Sequence, residues 1–233
     1  MSVRDEHWRL FAERDPAALH IAVFAKPLVP GRVKTRLIPA LGAAGAAALQ
    51  RNLLDRTLTV AREAAGPRVS LWVAGDPAHA TLGPVRDRFR VPAYPQQGAD
   101  LGARMRSAIA ALSPIHRCVL LIGSDCPVLA AADLRAAGRA VNDADTDAVF
   151  IPVEDGGYVL VGLGPAARDR RAAVLDALFG DIAWGTARVM AQTRARLVAA
   201  GFTWREQPML WDIDRPEDLL RARALGVLNA LPE

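Results

Sequence analysis

The two lysines of this chain lie close together in its sequence. The chain has 29 basic residues, and only Lys26 and Lys34 are lysine. A compact ammonium group in a chain that otherwise uses arginine suits a site that needs a point charge for phosphate. Gly31 permits close backbone approach, and Lys34 could neutralise phosphate charge at the start of the following helix, together with Arg32 and Arg36. Chance placement of both lysines in a solvated loop is the structural alternative.

Acidic residues follow three other predicted strands. Asp125 comes directly after an apolar run, and its oxygens suit Mg²⁺ or Mn²⁺ bridging two phosphates. Asp155 precedes two glycines, whereas Asp212 and Asp214 follow a tryptophan. Taken singly, each carboxylate has a structural explanation, either as a helix N-cap or as part of a glycine hairpin. Their combination with the lysine loop favours a site for a metal-bound nucleotide diphosphate. The loop matches neither the Walker nor the dinucleotide-binding glycine pattern, which argues against ordinary kinases and dehydrogenases.

Strand-length apolar runs alternate with helix-compatible stretches, which is typical of βαβ units around a parallel sheet. Predicted strands cover residues 21–25, 69–74, about 90–94, 118–122, 148–153, 158–163 and a stretch near Phe202. Predicted helices cover residues 43–65 and 100–112, a segment after Pro127, a segment ending near Ala200, and one from Pro216. Asp100 is the predicted N-cap of the second of these helices, and the third is expected to be capped by Asp133 or by the loop itself. An irregular segment containing Trp184 is expected between strand 158–163 and the helix ending near Ala200. Ligands bind at the carboxyl edge of such sheets, where the candidate residues are expected to meet.

Composition narrows the class of protein. With 233 residues, 52% apolar and 23% charged, the chain is expected to form one globular domain. Neither a signal peptide nor a membrane span is evident, and Cys118 and Cys126 have no metal-ligand spacing, so a reduced cytoplasmic protein without a membrane partner is expected. The net charge is +4, but basic and acidic residues are interspersed, which argues against nucleic acid as a partner.

Taken in order, these segments resemble a bacterial family of GT-A-fold glycosyltransferases of the selenodomain-associated or arsenosugar-biosynthesis type, long described as a domain of unknown function. More distantly, the chain is similar to nucleotidyltransferases that make molybdopterin, isoprenoid and deazaflavin precursors. The matching residues are Phe24, Ala25, Lys26, Pro27, Pro30, Gly31, Lys34, Thr35, Arg36, Leu37, Gln97, Asp100, Leu101, Gly102, Gly123, Ser124, Asp125, Cys126, Pro127, Asp155, Gly156, Gly157, Tyr158, Trp184, Gly185, Thr186, Asp212, Ile213, Asp214, Pro216, Glu217, Asp218 and Leu219.

The resemblance implies an α/β fold of the GT-A type, a three-layer α/β/α sandwich with a mainly parallel mixed sheet. It implies one domain, with 18–128 as the nucleotide-binding half and 129–233 as the acceptor-binding half. The segment through Pro16 lies outside the resemblance, and residues 1–17 are expected to form a helical extension. Implied nucleotide-binding residues are Phe24, Ala25, Lys26, Gly31, Arg32, Lys34, Arg36, Gln97, Asp100, Gly102 and Ser124. Implied metal ligands for Mg²⁺ or Mn²⁺ are Asp125, Asp212 and Asp214. Implied acceptor or sugar contacts are Gly156, Gly157, Tyr158, Trp184 and Thr186.

The resulting hypothesis is a glycosyltransferase that moves a sugar from a nucleotide sugar to a small acceptor, with Asp155 or Asp212 as general base. The chain has Ser-Asp-Cys-Pro at residues 124–127 where many GT-A enzymes have Asp-x-Asp. A nucleotidyltransferase that joins a nucleoside triphosphate to a phosphorylated small molecule is the first alternative. A protein that binds a nucleotide sugar without turning it over is the second.

Overall fold

Residues 19–227 are built on a single sheet of seven strands. The computed structural model describes residues 19–227, so the extension predicted for residues 1–17 lies outside the described residues. The strands are β1 Leu19–Ala25, β2 Val69–Val73, β3 Ala93–Pro95, β4 Cys118–Ile122, β5 Ala148–Pro152, β6 Tyr158–Leu163 and β7 Trp204–Glu206.

The sheet is mixed but mainly parallel. Its spatial order is β3-β2-β1-β4-β6-β5-β7, and β6 runs antiparallel to both β4 and β5 while the remaining pairs are parallel. The carboxyl ends of six strands therefore share one edge with the amino end of β6. This confirms the predicted α/β class and the predicted reversal between the two strands on either side of the Asp155 turn.

Seven α-helices surround the sheet within residues 19–227: α1 Ile38–Ala65, α2 Gly83–Phe89, α3 Leu101–Leu112, α4 Ala131–Asn142, α5 Arg171–Phe179, α6 Val189–Ala199 and α7 Pro216–Ala224. Successive strand residues face opposite sides of the sheet, and β1 is buried on both. Ile21 and Val23 contact the core formed with α1, α2 and α4, whereas Ala22 and Phe24 contact the core formed with α3, α5 and α6. The predicted three-layer arrangement is thus confirmed.

A third, smaller cluster holds the carboxyl-terminal segment onto α1. It consists of Leu37, Leu49, Leu53, Trp211, Ile213, Leu219 and Ala222. The alternation of residues 211–214 sends Trp211 and Ile213 into this cluster and leaves Asp212 and Asp214 half-buried beside it. Hydrophobic packing therefore fixes the position of these two acids relative to the lysine loop.

Several elements differ from the sequence expectation. Helices α2 and α5 were not predicted, and β3 and β7 lie a few residues later than expected. The N-cap of α4 is Ala130, in the loop that precedes the helix, and not Asp133. Asp133 lies in the first turn, where its carboxylate accepts a hydrogen bond from the Ala130 N–H at 2.9 Å. No helix among residues 19–227 is both long and apolar enough to cross a bilayer.

Candidate functional site

Lys34 joins two parts of the chain that are far apart in sequence. Its ammonium nitrogen lies 3.0 Å from Asp125 Oδ1 and 3.3 Å from Asp214 Oδ1, and it donates to the Ile213 carbonyl oxygen at 2.5 Å. Only 3% of the Lys34 side chain is exposed. Its backbone lies in the left-handed region at φ 47°, which is unfavourable for a residue with a side chain. These contacts hold the loop in that conformation.

The charge of Lys34 is maintained by its neighbours. Burial favours the neutral amine and lowers the pKa, but the carboxylates of Asp125 and Asp214 outweigh this effect, so the net shift of the Lys34 pKa is upward. Lys34 is therefore an ammonium ion throughout the physiological range. As arranged, it neutralises carboxylates of the protein itself.

Further hydrogen bonds fix the segment that carries Asp214. Arg36 binds the second carboxylate oxygen of Asp214 at 2.7 Å, and the Asp218 carboxylate accepts from the backbone N–H groups of Asp214 and Arg215. The Ile213 N–H donates to the Asp125 carbonyl oxygen at 3.0 Å. The loops after β1, β4 and β7 are thereby linked at one edge of the sheet.

Asp212 lies in an environment that disfavours its charge. Burial, followed by the charges of Asp155, Asp214 and Asp125, raises the pKa of Asp212 to about 6, and Lys34 offsets only part of this. Asp155 itself accepts a hydrogen bond from the Gly157 N–H at 2.8 Å, which shapes the turn between β5 and β6. A carboxyl group that titrates near neutrality suits a general base.

A pocket of about 590 Å³ opens at this edge. It is lined by Arg36, Leu101, Met105, Val153, Glu154, Asp155, Gly157, Tyr158, Trp184, Gly185, Thr186, Ala187, Val189, Trp211, Asp212, Asp214, Arg215 and Asp218. Apolar and aromatic side chains form one part of the lining and carboxylates another. Lys34 adjoins the pocket through its contact with Asp214, and Asp125 contacts Lys34 in turn.

Eight residues expected from the sequence line this pocket: Arg36, Asp155, Gly157, Tyr158, Trp184, Thr186, Asp212 and Asp214. The Thr186 hydroxyl donates to the Ala183 carbonyl oxygen at 2.8 Å, so it also shapes its own loop. Gly156 has a positive φ of 88° and packs against the Ala187 backbone, which makes it part of the turn beneath the pocket.

Other expected residues lie outside the lining. Lys26, Gly31, Arg32 and Gln97 are exposed elsewhere, and Phe24 and Ala25 are buried in β1. Three more have local structural partners: Asp100 caps α3 through the Ala103 N–H, the Ser124 hydroxyl accepts from the Gln50 amide, and Gly102 packs against the Trp184 indole. The structure thus gathers the lysine–carboxylate and aromatic residues but not the whole expected nucleotide set.

The sequence argument missed several residues of the pocket. Met105 belongs to its apolar lining and was not singled out, and Leu101 and Trp211, which lie in segments that were singled out, were given no role in the site. The side chain of Gln96, next to the expected Gln97, donates to the carbonyl oxygens of Ala25 and Trp72, and so connects the ends of β1 and β2. Polar residues at strand ends are the signal that pointed to this region.

The comparison with protein families is decisive for classification. The profile of the family described as "Uncharacterized protein conserved in bacteria (DUF2064)" matches residues 57–186, more than half of the chain. The chain belongs to this family. No curated protein matches it in sequence.

Solved structures share the fold of this DUF2064 member. A Desulfovibrio desulfuricans protein described as a "putative nucleotide-diphospho-sugar transferase" is 28% identical, with a TM-score of 0.73 over 85% of this chain and 83% of that one. A cytidylyltransferase from Leptospira borgpetersenii is 13% identical, with a TM-score of 0.59 over 92% and 89%. Glucosyl-3-phosphoglycerate synthase from Mycobacterium tuberculosis, solved with Mn²⁺, UDP and glucosyl-3-phosphoglycerate, is 10% identical, with a TM-score of 0.52 over 91% and 77%. The last two likenesses concern the fold.

The carboxylates at this edge of the sheet are chemically suited to bind a divalent cation, although they are not arranged as a complete set of metal ligands. Oxygen donors are what Mg²⁺ and Mn²⁺ prefer, and the like charges around Asp212 would be relieved by a cation. Among residues 19–227, however, no group of three His, Cys, Asp or Glu side chains is close enough to hold a metal. Asp125 and Asp214 instead share the Lys34 ammonium group.

Proposed function

We propose that this protein transfers a sugar from a nucleotide diphosphate sugar to a hydroxyl group of a small acceptor held in the 590 Å³ pocket. The observation that carries the proposal is the meeting of Lys34, Asp125 and Asp214 at the carboxyl edge of the sheet, beside a pocket lined by Asp212. A basic group and several carboxylates at such an edge suit a diphosphate with its cation. The likeness to a described nucleotide-diphospho-sugar transferase supports the same class.

In this proposal, residues 18–128 bind the nucleotide and residues 129–233 contribute most of the acceptor site. The acceptor oxygen bonds to the anomeric carbon of the sugar, the bond from that carbon to the diphosphate oxygen breaks, and the nucleoside diphosphate leaves with the bonding electrons. Asp212 takes the proton of the acceptor hydroxyl, since its raised pKa matches that task. Asp155, which also lines the pocket, orients the acceptor.

Asp125 and Asp214 are the residues that would hold Mg²⁺ or Mn²⁺. When bound, the cation would supply neutralisation of the charge that develops on the leaving diphosphate. Lys34, which contacts both carboxylates, and Arg36, which contacts Asp214, lie where they can share that role. The ordered motifs, from the lysine loop to Asp212, further support membership of the selenodomain-associated and arsenosugar-type branch of GT-A transferases.

A thermal-shift panel tests the proposal. UDP, GDP, dTDP and CDP sugars are compared with nucleoside triphosphates, each with and without Mn²⁺. A ligand at 100 times its dissociation constant stabilises the folded protein by about 2.7 kcal/mol, which is readily measured. A Mn²⁺-dependent shift with one diphosphate sugar, followed by release of that diphosphate on addition of acceptors, supports glycosyl transfer. A thermal shift with nucleoside triphosphates alone would overturn the proposal in favour of nucleotidyl transfer. Binding of a nucleotide sugar without release of diphosphate or pyrophosphate would indicate a binding protein that does not turn its ligand over.

A further inference from the structure

The apolar part of the pocket is rich in aromatic rings. Tyr158, Trp184 and Trp211 all line it, and the Trp184 ring meets the Tyr158 ring edge-on with 6.4 Å between centroids. The Tyr158 hydroxyl oxygen is buried without a hydrogen-bond partner among residues 19–227, so it is the rest of Tyr158 that lines the pocket. The Trp211 ring already has the Arg221 guanidinium group over it, with 4.4 Å from Cζ to the ring centroid. Tyr158 and Trp184 are therefore the aromatic residues that can meet an occupant of the pocket, and they form its aromatic wall.

The carboxylates of the pocket are not all neutralised by the protein. Two of the five carboxylates in the lining have basic partners, Glu154 with Arg221 and Asp214 with Lys34 and Arg36. Asp155, Asp212 and Asp218 form no ion pair among the described residues, and Arg215, which also lines the pocket, balances one of these three charges. A donor diphosphate whose charge is balanced by a divalent cation would not change this excess. An anionic acceptor would be repelled by it, whereas a cationic one would be attracted.

Resting on the proposed function, we propose that the acceptor is a hydroxylated amine, whose ammonium group lies between the aromatic wall and Asp155 and whose hydroxyl faces Asp212. Aromatic faces attract ammonium groups, and the attraction is larger where water is excluded. Asp155 supplies the opposite charge that a partly desolvated cation requires. A neutral polyol would gain from the rings but not from the charge of Asp155.

Substitution of Asp155 can separate its negative charge from its hydrogen bond in the turn. Its side-chain oxygen accepts from the Gly157 N–H, which an asparagine amide oxygen can also do. Asp155→Asn therefore removes the charge and keeps the turn. Asp87→Asn is the matched control, since Asp87 is exposed on α2 and lies outside the pocket lining. Melting temperatures of both variants check that each remains folded.

The test is calorimetric titration of the full chain, without donor or metal, with choline and with its neutral carbon isostere, in which a tert-butyl group replaces trimethylammonium. The wild type and Asp87→Asn should bind choline at least about tenfold more tightly than the isostere, because the two probes differ only in charge. Asp155→Asn should abolish that preference. No binding of choline, equal affinity for both probes in the wild type, or an undiminished preference in Asp155→Asn would overturn the assignment.

The two proposals fail separately. A nucleotide-dependent thermal shift without a preference for choline removes the amine and leaves the transferase. A preference for choline without a shift by any nucleotide leaves a cation-binding pocket and removes the transferase, and with it the role of the amine as acceptor.

Discussion

Lys34 Nζ lies 3.0 Å from Asp125 Oδ1, although the two residues belong to loops that follow different strands. The pair also involves Asp214, which is 180 positions from Lys34 in the sequence. The ammonium group thus connects the loop after β1, the loop after β4 and the segment before α7. This arrangement makes Lys34 a structural organiser of the site before any ligand binds.

Lys34→Met should destabilise the fold. Removing one partner of a buried ion pair costs about 3–5 kcal/mol, but the carboxylates of Asp125 and Asp214 are 44% and 41% exposed, so we expect about 1–3 kcal/mol. Urea unfolding of the wild type and the variant measures the loss. Adding Asp214→Asn should recover part of it, because one uncompensated charge is removed. Equal stability of Lys34→Met and the wild type would show that the contacts contribute nothing.

Asp125→Ala should abolish the Mn²⁺-dependent part of the thermal shift produced by a diphosphate nucleotide. The carboxylate is the proposed oxygen ligand, and alanine has no donor atom to replace it. Some loss of melting temperature without ligand is expected too, since Lys34 would keep only Asp214 and the Ile213 carbonyl. Asp87→Ala, on exposed α2, serves as the control and should retain the full shift. A Mn²⁺-dependent shift that survives in Asp125→Ala would remove this residue from the metal role.

Local chemistry explains which elements could be predicted from the sequence. Asp100 was expected to cap α3, and its carboxylate accepts from the Ala103 N–H at 2.7 Å, because capping depends on residues only a few positions apart. Helix α5 was missed because its buried residues occupy most of its circumference, which removes the amphipathic period. The rule that ligand-binding residues follow the carboxyl ends of strands brought Lys34, Asp125 and Asp214 together, and these three side chains do meet at one edge of the sheet. It could not locate Met105 or Trp211, since only the packed fold brings these apolar side chains to the pocket.

The Asp212 carboxyl should make stability and activity depend on pH. Its folded pKa of about 6 exceeds the ordinary value near 3.9, so its stabilising contribution is present below about pH 4 and is lost as pH rises through about 6. Asp212→Asn should therefore melt at a higher temperature relative to the wild type at pH 8 than at pH 4.5. If Asp212 is the base, kcat/KM of the wild type should rise with pH through about 6. The same melting difference at both pH values would contradict the assigned environment.

Gly102→Ala should disturb the pocket through Trp184. A Cβ atom at residue 102 would overlap the Trp184 indole and the Phe179 carbonyl oxygen, which rigid packing does not tolerate. We expect a loss of about 1–3 kcal/mol in the free energy of unfolding, less the small gain from alanine in a helix. Gly123→Ala is the matched control, because a Cβ there meets only the Val159 carbonyl oxygen at 4.0 Å. Chemical denaturation of the three proteins, with tryptophan fluorescence as the probe, separates the two sites; equal losses would show that the Trp184 contact is not the cause.

A buried histidine at the opposite edge of the sheet should make the protein sensitive to acid. His20 stacks on His116 with 4.2 Å between ring centroids, and its Nε2 lies 2.8 Å from the Ser70 hydroxyl. Burial, followed by the positive charges of His116 and Arg68, lowers the pKa of His20 to about 3. Because the unfolded chain binds a proton near pH 6.5, the stability present above that value is lost progressively as pH falls toward 3.

Substitution of His20 by glutamine measures this contribution. His20→Gln keeps an amide that can bind the Ser70 hydroxyl but removes the titrating ring, so stability should fall less steeply between pH 6.5 and pH 4 than in the wild type. We expect the difference between the two proteins to change by about 1–3 kcal/mol over that interval. Urea denaturation of both proteins at several pH values gives the two curves. Parallel curves for His20→Gln and the wild type would mean that protonation of the buried ring does not drive the acid instability, and would place its cause among the carboxylates instead.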